Sequence, residues 1–390
     1  MRQILLLIIA LNPLIVDAQL SNITPESLDD GDLFGFFIDI HENDMIVSSY
    51  SSDFLQEDFG AVYYYKLDGT EWTFNQRILP SLEYDANGER FGSAMAISDE
   101  WMLASIKKNI STGPIWSVIF FRKENNEWVR HSSIDVHTLV FSAAIDGNRA
   151  VFGTISDLND LGRRTGAAYI FEYDVETNQW QEVVKILPDE LEEGDLFGAN
   201  FYLKDDFLAV AARHDDDNGL ESGAVYIFEK IQNEWIQTAK LSPDDSVAGD
   251  YIGYRIHGDE DRLIISGYGN NNETGSVYIF RKEEDWVQEA RLHSDQLAEG
   301  DWFGSSIVLE GERAIVGARN HSNGQTETGA VFIFEKEGTD WIEKYKITLS
   351  NGMTDDLFGA GVDYQDGQLV IGAPFANNLQ GKAFAVNLND

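Results

Sequence analysis

The chain has 390 residues, no cysteine, and 28 Lys+Arg against 67 Asp+Glu, for a formal charge of −39. That sign speaks against nucleic acid and anionic membrane surfaces as partners, since both would be repelled, and favours solubility, cations or basic partners. The absence of cysteine excludes a disulfide framework and a lipid-modified cysteine.

In chain order, the first element is a leader. Arg2 gives a positive start, Ile4 to Leu11 an apolar core, and Val16-Asp17-Ala18 before Gln19 a small-residue cleavage site. Asn12-Pro13 breaks the apolar run, which is too short to span a bilayer. Residues 1–18 are therefore expected to be a signal peptide. The mature chain, 19–390, is expected to be one exported domain, extracellular or at the cell surface, with no transmembrane segment.

From there one pattern repeats seven times. A Phe-Gly pair, or its variant, stands at Phe34-Gly35, Phe91-Gly92, Phe141-Ser142, Phe197-Gly198, Ile252-Gly253, Phe303-Gly304 and Phe358-Gly359. A second glycine recurs in step at Gly60, Gly113, Gly166, Gly223, Gly275, Gly329 and Gly381. A tryptophan follows at Trp72, Trp128, Trp180, Trp235, Trp286 and Trp341. Self-similarity at a fixed period fixes the architecture ahead of any local reading.

The fourth unit shows what one repeat folds into. Phe197 to Leu203 reads as a strand, Lys204-Asp205-Asp206 as a tight turn, and Phe207 to Ala212 as a second, small and apolar strand. After a loop over Arg213 to Ser222, Gly223 to Glu229 alternates as a third strand, and Trp235 to Leu241 makes a fourth. Four-stranded meanders repeated seven times predict an all-β, seven-bladed β-propeller. Phe is expected to wedge between blades, and Trp to cover the gap to the next blade.

The third unit breaks the pattern. Ser142 replaces the glycine, and Val136-His137-Thr138 lacks the acidic approach found elsewhere. A shorter connection and a notch on the loop face are expected there. The seventh unit ends at Asp390 after three strands and has no Trp. Ile23 lies as far before Gly35 as Leu241 lies before Gly253. The ring is therefore expected to close by pairing Gln19 to Ile23 with Lys382 to Leu388.

With Ile371-Gly372-Ala373-Pro374 following Phe358-Gly359, and Val316-Gly317-Ala318 following Phe303-Gly304, the chain resembles the FG-GAP repeat of the integrin α-subunit propeller and of secreted bacterial proteins. The resemblance spans residues 19–390. It implies a seven-bladed propeller used for cell adhesion or other extracellular binding. In integrins calcium loops join the first and second strands of certain blades; here those connections, such as Glu42-Asn43-Asp44 and Ser98-Asp99-Glu100, read as hairpin turns.

Carboxylates gather instead on the opposite face. Asp32, Asp195, Asp250, Asp301 and Asp356 each stand two places before the repeat Phe or its equivalent. Their recurrence favours a structural turn role, accepting backbone N–H bonds. The densest group, Asp215, Asp216 and Asp217 before Asn218-Gly219, is the candidate site for a hard cation such as calcium. The expected function is a monomeric extracellular binding or adhesion module, not an enzyme, whose loop face takes a protein or glycan. The alternatives are a polysaccharide lyase or hydrolase on the same scaffold, with His214, His321, Tyr50 and Tyr268 in loops on the relevant face, or a structural repeat in a surface assembly.

Overall fold

The computed structural model describes residues 14–15, 20–52, 59–81, 83, 85, 88–259, 261–322, 327–349 and 352–389. Among the described residues seven sheets form seven blades of antiparallel strands, and the helix content is two four-residue segments. Blade one holds Ile38–His41, Asp44–Ser49, Ala61–Asp68 and Glu71–Ile78. Blade two holds Met95–Ile97, Trp101–Ile110, Gly113–Glu124 and Glu127–Val136, with Gly88–Glu89 added at its edge. Blade three holds Val140–Asp146, Arg149–Thr154, Ala167–Asp174 and Gln179–Ile186.

Blade four holds Phe197–Lys204, Phe207–Ala212, Ala224–Ile231 and Glu234–Leu241. Blade five holds Arg255–Gly258, Arg262–Gly267, Ser276–Lys282 and Trp286–Leu292. Blade six holds Phe303–Glu310, Arg313–Ala318, Ala330–Glu337 and Asp340–Ile347. Blade seven holds Gly361–Gln365, Gln368–Ala373 and Lys382–Asn387, and its fourth strand is Ser21–Asn22, antiparallel to Phe384 and Ala385. Ile23 N–H adds a bond to the Ala383 carbonyl at 3.1 Å. The expected leader lies mostly outside the described residues; Leu14–Ile15 runs parallel to Tyr345 and Lys346.

Alternation along each strand supplies two faces, and each face serves a different core. In the third strand of blade four, Tyr226 and Phe228 pack toward blade three, while Val225 and Ile227 pack toward blade five. The outcome is one apolar cluster per junction between neighbouring blades, the seventh uniting Val370 and Ala383 of blade seven with Met45 and Tyr63 of blade one. Phe34, Phe91, Phe197, Phe303 and Phe358 are all fully buried in these clusters, as is Ile252. Burying such a side chain stabilises by about 1.5–3 kcal/mol.

The tryptophans face the other way from expectation. Each covers the junction with the preceding blade: Trp180 of blade three stacks on Phe120 of blade two at 4.4 Å, and Trp341 of blade six donates its indole N–H to Glu289 of blade five at 2.9 Å. The outer strand begins at the turn end of a blade, where the twist leans it back over its predecessor.

Two landmarks also shift. At six junctions the second-landmark glycine lies against the backbone of the next blade's Phe position; a Cβ at Gly166, Gly275 or Gly329 would come within 2.0–2.1 Å of that carbonyl oxygen. Gly113 meets nothing within 4 Å. It sits at the tip of a long hairpin over Trp101–Glu124, and Trp116, paired with Lys107 and Val136, takes the glycine's register place. Across the same junction Val140, not Phe141, pairs with Thr154 where Phe303 pairs with Ala318, and Val140 is the buried residue. Only three residues, His137 to Leu139, link blade two to blade three, against ten to thirteen for the links into blades four to seven. The short link leaves no room for the usual approach loop.

Inner strands of neighbouring blades are clasped by side chains that accept the next strand's N–H. Asp39 accepts from Ile97 at 2.8 Å, Asn200 from Ile256 at 2.9 Å, His257 Nδ1 from Leu309 at 3.2 Å, and Asp363 from Ile40 at 2.5 Å. Burial lowers the His257 pKa to about 4, which keeps the ring neutral and able to accept.

Candidate ligand site on the loop face

Loops joining second to third strands, and one blade to the next, emerge on one face. The recurrent aspartates of these loops bond their own turns. Asp32, Asp195, Asp250, Asp301 and Asp356 each accept the backbone N–H three residues back, at 2.7–3.0 Å. The short acceptor side chain closes its own loop, reaching back three residues and not forward two as in an Asx turn. The residue just before the Phe position is held left-handed at Leu33, Arg90, Leu196, Tyr251, Trp302 and Leu357, with φ between 56° and 59°. This torsion turns a bulky side chain out of the loop, and in blades five and six that side chain is aromatic.

Asp215, Asp216 and Asp217 do not converge on an open centre. Asp215 is buried, accepts the Tyr226 hydroxyl at 2.8 Å and pairs with Lys240 at 2.7 Å. Asp217 pairs with the same ammonium at 2.5 Å, and Asp216 accepts the Glu221 N–H at 2.6 Å. A cation here would have to displace Lys240. Among the described residues, one acidic group brings three ligand atoms within 4.8 Å of one another, and it lies on the opposite face: His41, Glu42 and Asp99, in the turns between first and second strands.

Aromatic and cationic side chains converge elsewhere, over blades four to six. Tyr251 and Tyr268 stack at 4.7 Å and 2°, and Tyr268 stacks on Trp302 at 4.8 Å and 16°. His214 abuts Tyr251 at one end of this column, and the Arg319 guanidinium lies 4.0 Å over Trp302 at the other. Tyr254 packs edge-on against Tyr268, with Arg255 4.5 Å over its own ring. Arg213 lies 4.9 Å over Phe141, the side chain released from the core by the shift in blade three. Rim carboxylates pin the column: Tyr251 donates its hydroxyl to Glu221 at 2.7 Å, and Trp302 its indole N–H to Glu273 at 3.1 Å.

The electrostatics of this patch differ from the rest of the surface. Most partly buried arginines elsewhere hold a carboxylate: Arg149 pairs with Glu172, Arg262 with Glu289, Arg313 with Glu335. Among the described residues, Arg213, Arg255 and Arg319 form no ion pair, and the Nε groups of Arg213 and Arg319 are buried without a hydrogen-bond partner. Burial pulls both of these guanidinium pKa values down, and the neighbouring Arg255 adds repulsion. Burial pushes the Tyr254 hydroxyl up, but Arg255, Arg319 and Arg213 together hold it below its usual value. Burial and Arg213 lower His214, while the hydrogen bond to Glu221 raises Tyr251 to about 12.

Of the four loop residues singled out by sequence, Tyr268 and His214 belong to this patch. Tyr50 packs instead on Phe36 at 5.3 Å, and His321 is buried against Asp301 at 2.7 Å. The arginines were missed, although a signal existed: Arg213 and Arg319 occupy the same repeat position, straight after a second strand ending in Ala212 or Ala318.

The FG-GAP repeat family model matches residues 180–228, 235–280, 286–334 and 341–386. Each matched unit starts on an outer-strand tryptophan and ends on the third strand of the following blade. The chain is an FG-GAP-repeat β-propeller. Comparison with the curated proteins gives no match. Two solved structures share the fold at 12% identity. One is the periplasmic gluconolactonase of Pseudomonas aeruginosa, with a TM-score of 0.53 over 81% of this chain and 86% of that one. The other is a protein from Lactobacillus plantarum, with a TM-score of 0.55 over 86% and 90%. The first corrects the expectation that this chain is not an enzyme: the FG-GAP propeller shares its architecture with an enzyme, so the fold supplies no ground for excluding catalysis. Among the described residues no helix is long and apolar enough to cross a membrane.

Proposed function

We propose that this FG-GAP propeller is an exported, extracellular binding module whose loop face over blades four to six engages a protein or a glycan. The leader-like start at residues 1–18 supports export. The observation that carries the binding role is the aromatic column of Tyr251, Tyr268 and Trp302 flanked by arginines without carboxylate partners. Aromatic and arginine side chains concentrate where proteins bind, because they offer large contact area and directional donors. The proposal concerns recognition and holds whether or not the bound ligand is then turned over.

Residues 19–390 screened against immobilised glycans and extracellular proteins test it. The expected result is a binder that is lost on Tyr268→Ala with Trp302→Ala, in a variant that keeps its β circular dichroism. A binder insensitive to these changes, or no binder at all, overturns the reading.

A further inference from the structure

The three unpaired guanidiniums narrow the ligand class. Each has one flat face covered by an aromatic ring: Arg213 by Phe141, Arg255 by Tyr254, Arg319 by Trp302. Stacking fixes the plane in which the N–H donors of a guanidinium point. Arg255 gives one donor to the Tyr254 carbonyl at 3.2 Å and Arg319 hydrogen-bonds the Tyr254 side chain, while the Nε donors of Arg213 and Arg319 take no partner. In a chain with 67 acidic residues, carboxylates to pair with them are abundant, yet none is supplied. Three like charges are instead held within reach of one another around Tyr254 and Tyr268. An oxyanion would relieve that repulsion and satisfy the two buried Nε donors.

Resting on the loop-face reading above, we propose that Arg213, Arg255 and Arg319 form a carboxylate-binding site for the acidic sugar unit of a glycan. Two features favour a sugar acid over an acidic peptide. The rim beside the cations carries Glu221 and Glu273, acceptors suited to sugar hydroxyls but repulsive to a second carboxylate. The molecule's charge of −39 opposes a densely anionic polypeptide. A ligand with spaced carboxylates separated by neutral hydroxyls meets the cationic island and avoids most of the repulsion, which salt screens beyond about 8 Å.

The test is titration of residues 19–390 with an oligogalacturonide, followed by tryptophan fluorescence. Its arms are the same oligosaccharide with its carboxyls reduced to alcohols, and an oligoglutamate of equal length. The expected result is saturable binding of the oligouronide, at least tenfold weaker binding of both other probes, and weakening as salt rises. Arg213→Gln with Arg319→Gln should cost at least a further tenfold, while Arg90→Gln, which removes an exposed arginine just before Phe91 of blade two, should change nothing. If the double variant fails to fold, the comparison of acid with reduced oligosaccharide on the unaltered chain still decides. Equal binding of the reduced oligosaccharide overturns the carboxylate site but leaves loop-face recognition standing. Tighter binding of oligoglutamate overturns the sugar assignment. Absence of any loop-face ligand removes both readings.

Discussion

Single residues matter here where two blades touch. Gly329 has φ near +88°, and a Cβ would meet the Phe358 carbonyl oxygen at 2.1 Å, whereas Gly113, at φ near +121°, has nothing within 4 Å. Both positions penalise an L side chain by torsion, roughly 1–3 kcal/mol, but only Gly329 adds a backbone collision. Gly329→Ala is therefore expected to lower the urea midpoint well beyond Gly113→Ala. Equal midpoints would mean that the glycine is there for its torsion and not for the close approach. At the junction of blades two and three the register place belongs to Trp116, which is packed against blade three and has no positive φ.

Strands and their clasps respond to pH. Burial raises the Asp363 pKa to about 7, and burial with the Asp363 charge raises Asp39 as well. Both sit on inner strands flanking the junction of blades seven and one. A carboxyl whose folded pKa lies above its unfolded one stabilises fully at low pH, and that contribution is lost as pH rises through the folded value. Melting temperature should accordingly fall between about pH 4 and 7 from these groups. Asp363→Asn keeps an acceptor for Ile40 and removes the charge. Its melting temperature should match the parent near pH 4 and exceed it at pH 8; parallel curves across that range would reject the assignment. The fourth strand of blade seven is the other weak element, because it has two residues where most outer strands have seven or eight. Leu20 and Ile23 pack on the two clusters either side of it. Deleting residues 19–24 from the mature chain should lower the melting temperature and promote association through the bared strand Lys382–Asn387. A monomer that melts like the parent would show that the strand contributes nothing to closure.

Across the whole molecule, the charge of −39 dominates. Self-repulsion of that size destabilises the compact state and is screened by salt. Raising sodium chloride from 20 to 500 mM is expected to increase the melting temperature by several degrees. A fall would mean that the surface ion pairs, such as those of Arg149 and Lys230 with Glu172, outweigh the net repulsion. Junction cores are set by burial and should be indifferent to the same change. The molecule is thus seven apolar seams under an acidic surface, with a cationic patch on the loop face over blades four to six.

The sequence alone determined the number of blades, the four-strand meander and the turn role of the recurrent aspartates. These follow from local period and turn chemistry, which are written residue by residue. Tertiary structure alone decided which blade each tryptophan covers, because strand twist and not spacing sets that direction. It alone moved the glycine's place to Trp116 and the phenylalanine's to Val140, because pairing register is fixed by partners on another strand. It alone gave Asp215 and Asp217 to Lys240, which lies on the outer strand of the same blade. The loop-face island was out of sight for the same reason. Arg213, Arg255 and Arg319 come from three blades, and only the packing of those neighbouring blades shows that they meet on one face and lack carboxylate partners there.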